Sequence, residues 1–169
     1  MEINELIKIL EPYKNKMFRY AYSIIGNRFE AEDIVQESLI KIWKKKDKFA
    51  EIDNKEAWAI TIVRNLAIDK VRARKKKKTS DIDDYFHISD KAPSPDVRLE
   101  QKEAVRKVAE IMDTLQEAQR EIITLRDIEG YTYQEIADIM ELKVDQVKVY
   151  LFRARKILRD KLSSLKKII

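Results

Sequence analysis

The stretch YTYQEIADIMELKVDQVKVYLFRARK, residues 131–156, has the pattern of two helices joined by a short turn. Thr132 followed three residues later by Glu135 forms a capping box, which predicts the start of the first helix. Residues 141–143 interrupt the apolar pattern, and a second helix is predicted over residues 144–162. The interpretation of the remaining chain starts from this helix-turn-helix.

The second of these helices has a core face and a basic face. At about 100° per residue, the core face is predicted to hold Val147, Leu151, Ala154 and Leu158. The opposite face carries Asp145, Val149, Phe152 and Lys156, flanked by Lys148 and Arg153. Such a helix fits the DNA major groove, with cations on phosphates and other side chains on base edges. A solvated basic surface is the alternative interpretation.

The composition favours an all-helical protein that binds a polyanion. The 169 residues include only two glycines and three prolines, and the net charge is +5 with 38 % charged residues. The absence of cysteine excludes disulfides, thiolate metal sites and a cysteine nucleophile. No apolar run reaches the roughly 20 residues of a membrane span, and no signal-peptide pattern is present. We therefore expect a cytoplasmic protein without membrane insertion, cofactor or metal.

The N-terminal third is predicted to contain two helices with distinct faces. The first covers residues 4–25, is kinked or divided at Pro12 and ends at Gly26. Asn27 opens the second, with Glu30 as its capping-box partner. The predicted buried stripe of this second helix consists of Ala31, Ile34, Val35, Ser38, Leu39 and Ile42.

The opposite face of the second helix is polar but interrupted by apolar side chains. It carries Asp33, Gln36, Glu37 and Ile40, with Trp43 beside them. Exposed apolar groups among charges indicate a protein-docking surface. Alternatively, Trp43 folds back onto its own core, as single apolar residues often do.

A polar connector, residues 49–55, precedes a third helix predicted over residues 55–76, and Asn54 can cap that helix. The predicted inward side chains are Ala59, Ile62, Val63, Leu66 and Ala67. A polar stripe carries Thr61, Asn65, Asp69 and Arg72, with Trp58 at its edge. Asn65 can position a base, and Trp58 either stacks on an unpaired base or belongs to the core.

The third helix continues into seven cations within residues 70–78, including Arg74 and Lys75, which suits neutralisation of a nucleic-acid backbone. Residues 79–97 then hold five aspartates, one lysine and two prolines, the composition of a linker. His87 lies in this linker without a second histidine or a cysteine, so we regard it as incidental. The predicted fold is all-α: two small helical domains, 1–78 and 98–169, joined by a flexible acidic linker at 79–97.

A fourth helix is predicted to start at Ser94 and Pro95, near the end of the linker, and to run to about Thr114 in the second domain. Its inward residues are expected to be Ala104 or Val105, Val108, Ile111, Met112 and Leu115. A further helix covers residues 117–129 and is closed by Gly130. Arg120, near the start of this helix, is a candidate phosphate contact.

Several strings of the sequence resemble bacterial RNA polymerase sigma factors of the extracytoplasmic-function (ECF) group. YTYQEIADIM at 131–140 and VKVYLFRARKIL at 147–158 resemble sigma region 4. AEDIVQES at 31–38 resembles the docking helix of region 2, and WAITIVRNLAIDKVR at 58–72 resembles its −10 recognition helix. The resemblance covers nearly the whole chain in the family's order.

The resemblance implies roles for the residues singled out above. Polymerase docking, on the coiled coil of the β′ subunit, would involve Asp33, Gln36, Glu37 and Ile40. Recognition and melting of the −10 element would involve Asn54, Trp58, Thr61, Asn65, Arg72, Arg74 and Lys75. Phe49 and Asp53 are additional candidates, by position, for contact with a flipped −10 base. Recognition of the −35 element would involve Arg120, Lys148, Val149, Phe152, Arg153 and Lys156. The second domain would contact the β flap, and an anti-sigma factor is a further expected partner.

The sequence departs from the family at several positions. Gln116 stands where the family usually has proline, and Glu141 where it has glycine. Lys143 or Val144 stands where a small capping residue is usual, and Val149 where serine or arginine is common. These differences concern which −35 sequence is read rather than the DNA-binding role.

The sequence thus predicts a promoter-specificity subunit without catalysis of its own. An ordinary helix-turn-helix repressor or activator is the alternative, but it leaves the docking face, the Asn65 stripe and the acidic linker without a role. An enzyme is the third class considered. No paired carboxylates, nucleophile with a base, metal cluster or phosphate loop stands out in the sequence.

Overall fold

The computed structural model describes residues 1–78 and 99–166, and in these ranges all regular secondary structure is helical. The chain divides into two compact units. The first contains α1 (Ile3–Leu10), α2 (Lys14–Ile25), α3 (Arg28–Lys44), α4 (Lys46–Glu51) and α5 (Lys55–Lys78). The second contains α6 (Leu99–Thr114), α7 (Glu117–Ile123), α9 (Val144–Lys166) and the first five residues of α8 (Tyr133–Met140). The predicted all-α class is confirmed, whereas the predicted linker, His87 and the Ser94–Pro95 helix start lie outside the described residues.

Local sequence features determine the boundaries of the first helices. A 3₁₀ turn with Pro12 in its first turn separates α1 from α2, as predicted. Gly26 ends α2 in the left-handed conformation, with φ of +69°. Asn27 caps α3 by accepting a 3.1 Å hydrogen bond from the Glu30 amide. The Glu30 carboxylate does not complete the predicted box but pairs with Arg74.

Helices α2, α3 and α5 pack on one another and form the core of the first unit. Its largest fully buried side chains include Met17, Tyr20, Ile34, Ile42, Phe49 and Ile60. The predicted stripe of α3 is buried apart from Leu39, which is half-buried. In α5, Ile60 is buried although it was not predicted, while Ile62 and Leu66 are only half-buried.

The predicted connector at 49–55 is wrong over most of its length. Helix α4 extends to Glu51, so only residues 52–54 connect it to α5. Phe49 is fully buried, and its ring centroid lies 5.6 Å from that of Trp58. A side chain without exposed surface cannot receive a flipped base, so Phe49 is a core residue. Asn54 caps α5 as predicted, accepting a 3.0 Å hydrogen bond from the Ala57 amide.

Helices α7 and α9 pack on each other in the second unit. Its buried side chains include Ile122, Leu125, Ile136, Val147, Leu151 and Ala154. The helix predicted over 117–129 is α7 followed by a π-helical turn, Thr124–Ile128, and Gly130 closes it with φ of +78°.

The inward face predicted for α6 is correct only near its C-terminal end. Ile111 and Leu115 are buried and Met112 is half-buried, whereas Val105 and Val108 are exposed. The buried pair flanks Thr114, whose hydroxyl accepts a 2.5 Å hydrogen bond from Lys161 of α9. Val105 and Val108 lie in earlier turns of α6, on the N-terminal side of this contact with α9.

The turn of the helix-turn-helix contains a non-glycine residue in the left-handed region. Glu141 has φ of +56°, at the position where glycine would be least strained. An L-residue there costs about 1–2 kcal/mol, and glycine gives back about 0.5–1 kcal/mol through its freedom in the unfolded chain. Glu141→Gly is therefore expected to raise the free energy of unfolding by about 0.5–1 kcal/mol, measured by urea denaturation. Glu103→Gly, inside α6, should have the opposite sign, and a loss of stability from both changes would contradict the strain at Glu141.

Candidate nucleic-acid and polymerase interfaces

Helix α9 presents the predicted basic face to solvent. Val147, Leu151 and Ala154 on its other side are buried, which fixes the rotation of the helix about its axis. All five predicted contact residues of this helix are exposed: Lys148, Val149, Phe152, Arg153 and Lys156. Phe152 is 67 % exposed, so it contributes little to packing within the described structure. The combination of an exposed aromatic ring with neighbouring cations suits contact with base edges and phosphates.

A charged pair not predicted from the sequence fixes α9 to the π-helical turn. The Nε atom of Arg155 donates a 3.0 Å hydrogen bond to Oδ2 of Asp127, and its Nη2 atom pairs with Oδ1. The hydrogen bond that Arg155 donates to the Asp127 carboxylate raises the pKa of Arg155 above its usual value. This bidentate pair fixes the position of α9 and leaves the residues of its exposed basic face free of that task.

Tyr133, at the start of α8, lies between two cations. The Arg126 guanidinium is 4.5 Å from the ring centroid, and the Lys148 ammonium is 5.9 Å from it. Arg126 also donates a 2.8 Å hydrogen bond to the Tyr131 carbonyl. Tyr133 therefore connects the start of α8 with Lys148 on the recognition face.

Capping bonds set the start of both helices of the motif. Thr132 and Glu135 exchange hydrogen bonds of 3.0 and 3.1 Å, the predicted capping box. The Lys143 amide donates a 2.9 Å bond to the Gln146 side chain, which caps α9 without the small residue usual in the family. Arg120 is placed differently from the other predicted contacts: its Nη1 atom donates a 3.0 Å bond to the Leu115 carbonyl, at the end of α6.

Helix α5 carries the predicted polar stripe on its surface. Asn65, Asp69 and Arg72 are exposed, as is Lys75. Thr61 is half-buried, and its hydroxyl donates a 2.9 Å hydrogen bond to the Ala57 carbonyl. Trp58 is also half-buried and packs on Phe49, so one part of the ring belongs to the core and another part reaches the surface.

Arg74 is the one predicted −10 contact that the structure turns inward. Its Nη1 atom donates a 3.0 Å hydrogen bond to the Ile25 carbonyl, and its guanidinium pairs with Glu30. Burial lowers the pKa of Arg74 from its usual value. The side chain thus joins the C-terminal part of α5 to the α2–α3 corner, so Arg74 is a structural residue and the prediction of a −10 DNA contact there is wrong.

The predicted docking face lies along α3. Asp33, Gln36 and Glu37 are exposed, and Ile40 is 55 % exposed. Trp43 is half-buried, with the Lys46 ammonium 4.4 Å from its ring centroid. This face therefore combines exposed acidic groups with exposed or half-buried apolar groups.

Residues 1–78 and 99–166 contain no group of three or more His, Cys, Asp or Glu side chains that could hold a metal ion. Within the same ranges, no helix has the length and apolar character needed to span a membrane.

Comparisons with known proteins match both units. The family described as Sigma-70 region 2 matches residues 9–77, and Sigma-70, region 4 matches residues 106–158. The ECF RNA polymerase sigma factor SigW of Bacillus subtilis is 30 % identical over 166 residues, covering 93 % of this chain and 88 % of the relative. EcfG of Rhodopseudomonas palustris is 32 % identical over 146 residues, covering 86 % and 76 %.

One relative is longer, and one solved structure is similar over its whole length. SigE of Mycolicibacterium smegmatis is 27 % identical over 92 % of this chain, which spans only 61 % of that protein. The sigma factor RpoE of Bartonella quintana, solved in complex with the anti-sigma factor NepR, has a TM-score of 0.81 and 26 % identity. That similarity covers 94 % of this chain and 97 % of the solved one.

Proposed function

The chain belongs to the ECF sigma factors of bacterial RNA polymerase, and we propose that its two units divide promoter recognition between them. It is a promoter-specificity subunit that binds core RNA polymerase, recognises promoter DNA and helps to initiate transcription. Sigma factors act as regulatory DNA-recognition subunits rather than as catalysts. In this proposal the domains are residues 1–78 and 98–169, with the linker at 79–97, and the protein acts in the cytoplasm.

We assign the second unit to the −35 element and to the β flap. The observation that carries this assignment is the exposed face of α9, where Phe152 and Arg153 lie among cations opposite a buried apolar face. Lys148, Val149 and Lys156 complete the recognition surface. Arg120, which caps α6, has at most an indirect role in placing this surface.

We assign the first unit to the −10 element and to the β′ coiled coil. Asn54, Thr61 and Asn65 would contact the opened strand, Arg72 and Lys75 its backbone, and the exposed part of Trp58 a base. Asp33, Gln36, Glu37 and Ile40 would dock on the coiled coil. We also propose control by an anti-sigma factor, since the solved relative from Bartonella quintana is bound to one.

Binding to core RNA polymerase is the direct test of this function. The purified chain is mixed with bacterial core polymerase and passed over a sizing column at moderate salt. We expect co-elution at a one-to-one ratio. No association with core polymerase, together with retained affinity for duplex DNA, would instead identify a helix-turn-helix repressor or activator.

Charge reversal at Asp33 and Glu37 is expected to weaken core polymerase binding at least tenfold, about 1.4 kcal/mol, while leaving the fold intact. Both side chains are exposed, and the 4.0 Å contact from Glu37 to Lys70 is too long and too solvated to matter for stability. The control is charge reversal at Asp47 and Glu51, which are exposed on α4 and change the net charge equally. Equal losses in the two double variants would show a general charge effect and remove α3 from the docking surface.

A further inference from the structure

An apolar cavity of about 310 Å³ lies between α1 and the C-terminal half of α3. Its walls include Ile3, Ile7 and Leu10 from α1 and Leu39, Ile40 and Trp43 from α3. Only Glu11 and Lys14 contribute charged groups to it. The cavity belongs entirely to the first unit.

Helix α1 has a second apolar face that packing within this unit does not cover. Leu6 and Leu10 are buried and hold α1 against the unit. Ile3 and Ile7, one turn apart on the adjacent face, remain 49 % and 51 % exposed. Together with Ile40 they form one apolar patch beside the cavity, which is the composition of a docking site rather than of a solvated surface.

The cavity continues as a groove along α3. A second, more open cavity of about 620 Å³ lies between α2 and α3 and shares Lys14 and Leu39 with the first. Together they follow α3 from Arg28 to Trp43, about 23 Å at 1.5 Å per residue. A groove of this length accepts several turns of a partner helix.

The groove shares residues with the proposed polymerase-docking face. Gln36 lines the α2 half of the groove, and Ile40 lines the α1 half. Ile3, Ile7 and Ile40 line one and the same cavity. A helix that inserts a side chain there against Ile40 therefore also contacts α1.

We propose that α1 is part of the polymerase-docking surface, and that a helix of core RNA polymerase lies in this groove and buries Ile3 and Ile7 together with Ile40. The proposal rests on the proposed docking of the first unit on polymerase. The helix it requires is apolar toward the groove and basic toward Asp33 and Glu37. The match to Sigma-70 region 2 begins at residue 9, so Ile3 and Ile7 add a contact outside the matched region.

The test measures the affinity of fluorescently labelled protein for core RNA polymerase without DNA. Ile7→Glu is expected to weaken binding at least tenfold, because the partner would have to bury a carboxylate. In the free protein the new carboxylate remains solvated, since Ile7 is half exposed. Ile7→Ala, which introduces no charge, should weaken binding about threefold to tenfold and serves if Ile7→Glu fails to fold.

The matched control is Phe29→Glu. Phe29 is 70 % exposed, belongs to the same unit and lines neither cavity. Its replacement should leave the affinity for core polymerase within about twofold of that of the unchanged protein. Both Ile7 variants should bind core polymerase more weakly than Phe29→Glu does.

The outcomes separate this inference from the proposed function. If the unchanged protein binds core polymerase and the Asp33 and Glu37 reversal weakens it, but both Ile7 variants bind normally, α1 is not part of the interface and the docking role of α3 stands. If the unchanged protein does not bind core polymerase, the proposed function itself is wrong. Equal weakening by Ile7→Glu and Phe29→Glu would also overturn the assignment of the groove.

Discussion

Replacing Phe49 with alanine is expected to lower the free energy of unfolding of the first unit by about 3–5 kcal/mol. The ring is fully buried, so the substitution removes apolar contacts and leaves a cavity that the surrounding helices fill only in part. The ring centroid of Trp58 lies 5.6 Å from that of Phe49, so the tryptophan fluorescence reports unfolding next to the substituted site. Urea denaturation followed by circular dichroism and tryptophan emission measures the change.

Asp53→Ala supplies the matched control for Phe49. Asp53 is exposed in the short connector before α5, so its removal should change stability by no more than about 0.5 kcal/mol. Replacing a core residue lowers stability, whereas replacing a residue that only contacts the −10 element would impair promoter opening and leave stability unchanged. Full stability in Phe49→Ala combined with impaired promoter opening would restore Phe49 as a base contact, against its burial.

The sequence predicted those features of the fold that depend on neighbouring residues. The Thr132–Glu135 box, the Asn27 cap and the left-handed Gly26 involve groups within three or four residues of one another. The buried stripes of α3 and α9 follow from helical periodicity, which is visible in any amphipathic segment. Helix α4 has only six residues, less than two turns, so its periodicity could not reveal that Phe49 faces the core.

Pairs that are distant in sequence could not be predicted in the same way. Arg155 contacts Asp127 across 28 residues, and Arg74 contacts the Ile25 carbonyl across 49. The composition of residues 70–78 does not distinguish its seven cations from one another. Arg74 lies nine residues after Asn65, which is about 180° around the helix axis. Arg74 was predicted among the −10 contacts, although that angle puts it on the face opposite the polar stripe. Only the packing of α5 on α2 and α3 shows which groups it meets there.

The two faces of α1 illustrate why a candidate docking surface also requires the structure. Four apolar residues, Ile3, Leu6, Ile7 and Leu10, share one broad stripe in the sequence. The fold buries Leu6 and Leu10 and leaves Ile3 and Ile7 half exposed. The division depends on the position of α1 relative to α3, which no local pattern encodes.

Arg153→Ala is expected to weaken binding to the −35 duplex by about 1–3 kcal/mol, because a guanidinium that reads a base edge makes two directional hydrogen bonds there. Arg153 is exposed on α9 beside Phe152, and the burial of Val147, Leu151 and Ala154 keeps this face turned outward. The measurement uses the protein bound to core polymerase, with a −35 duplex selected from a randomised pool and a scrambled duplex for comparison.

Arg153→Lys separates base reading from phosphate contact. Lysine keeps the charge but lacks the planar pair of donors, so it should recover affinity for the scrambled duplex and not for the selected one. If alanine weakens both duplexes equally and the salt dependence falls by about one ion, Arg153 contacts a phosphate. In that case recognition of the −35 sequence would depend on Val149 and Phe152, whose apolar side chains discriminate bases mainly through the thymine methyl group. The response of these two variants therefore determines whether α9 reads its promoter by hydrogen bonding or by apolar contact.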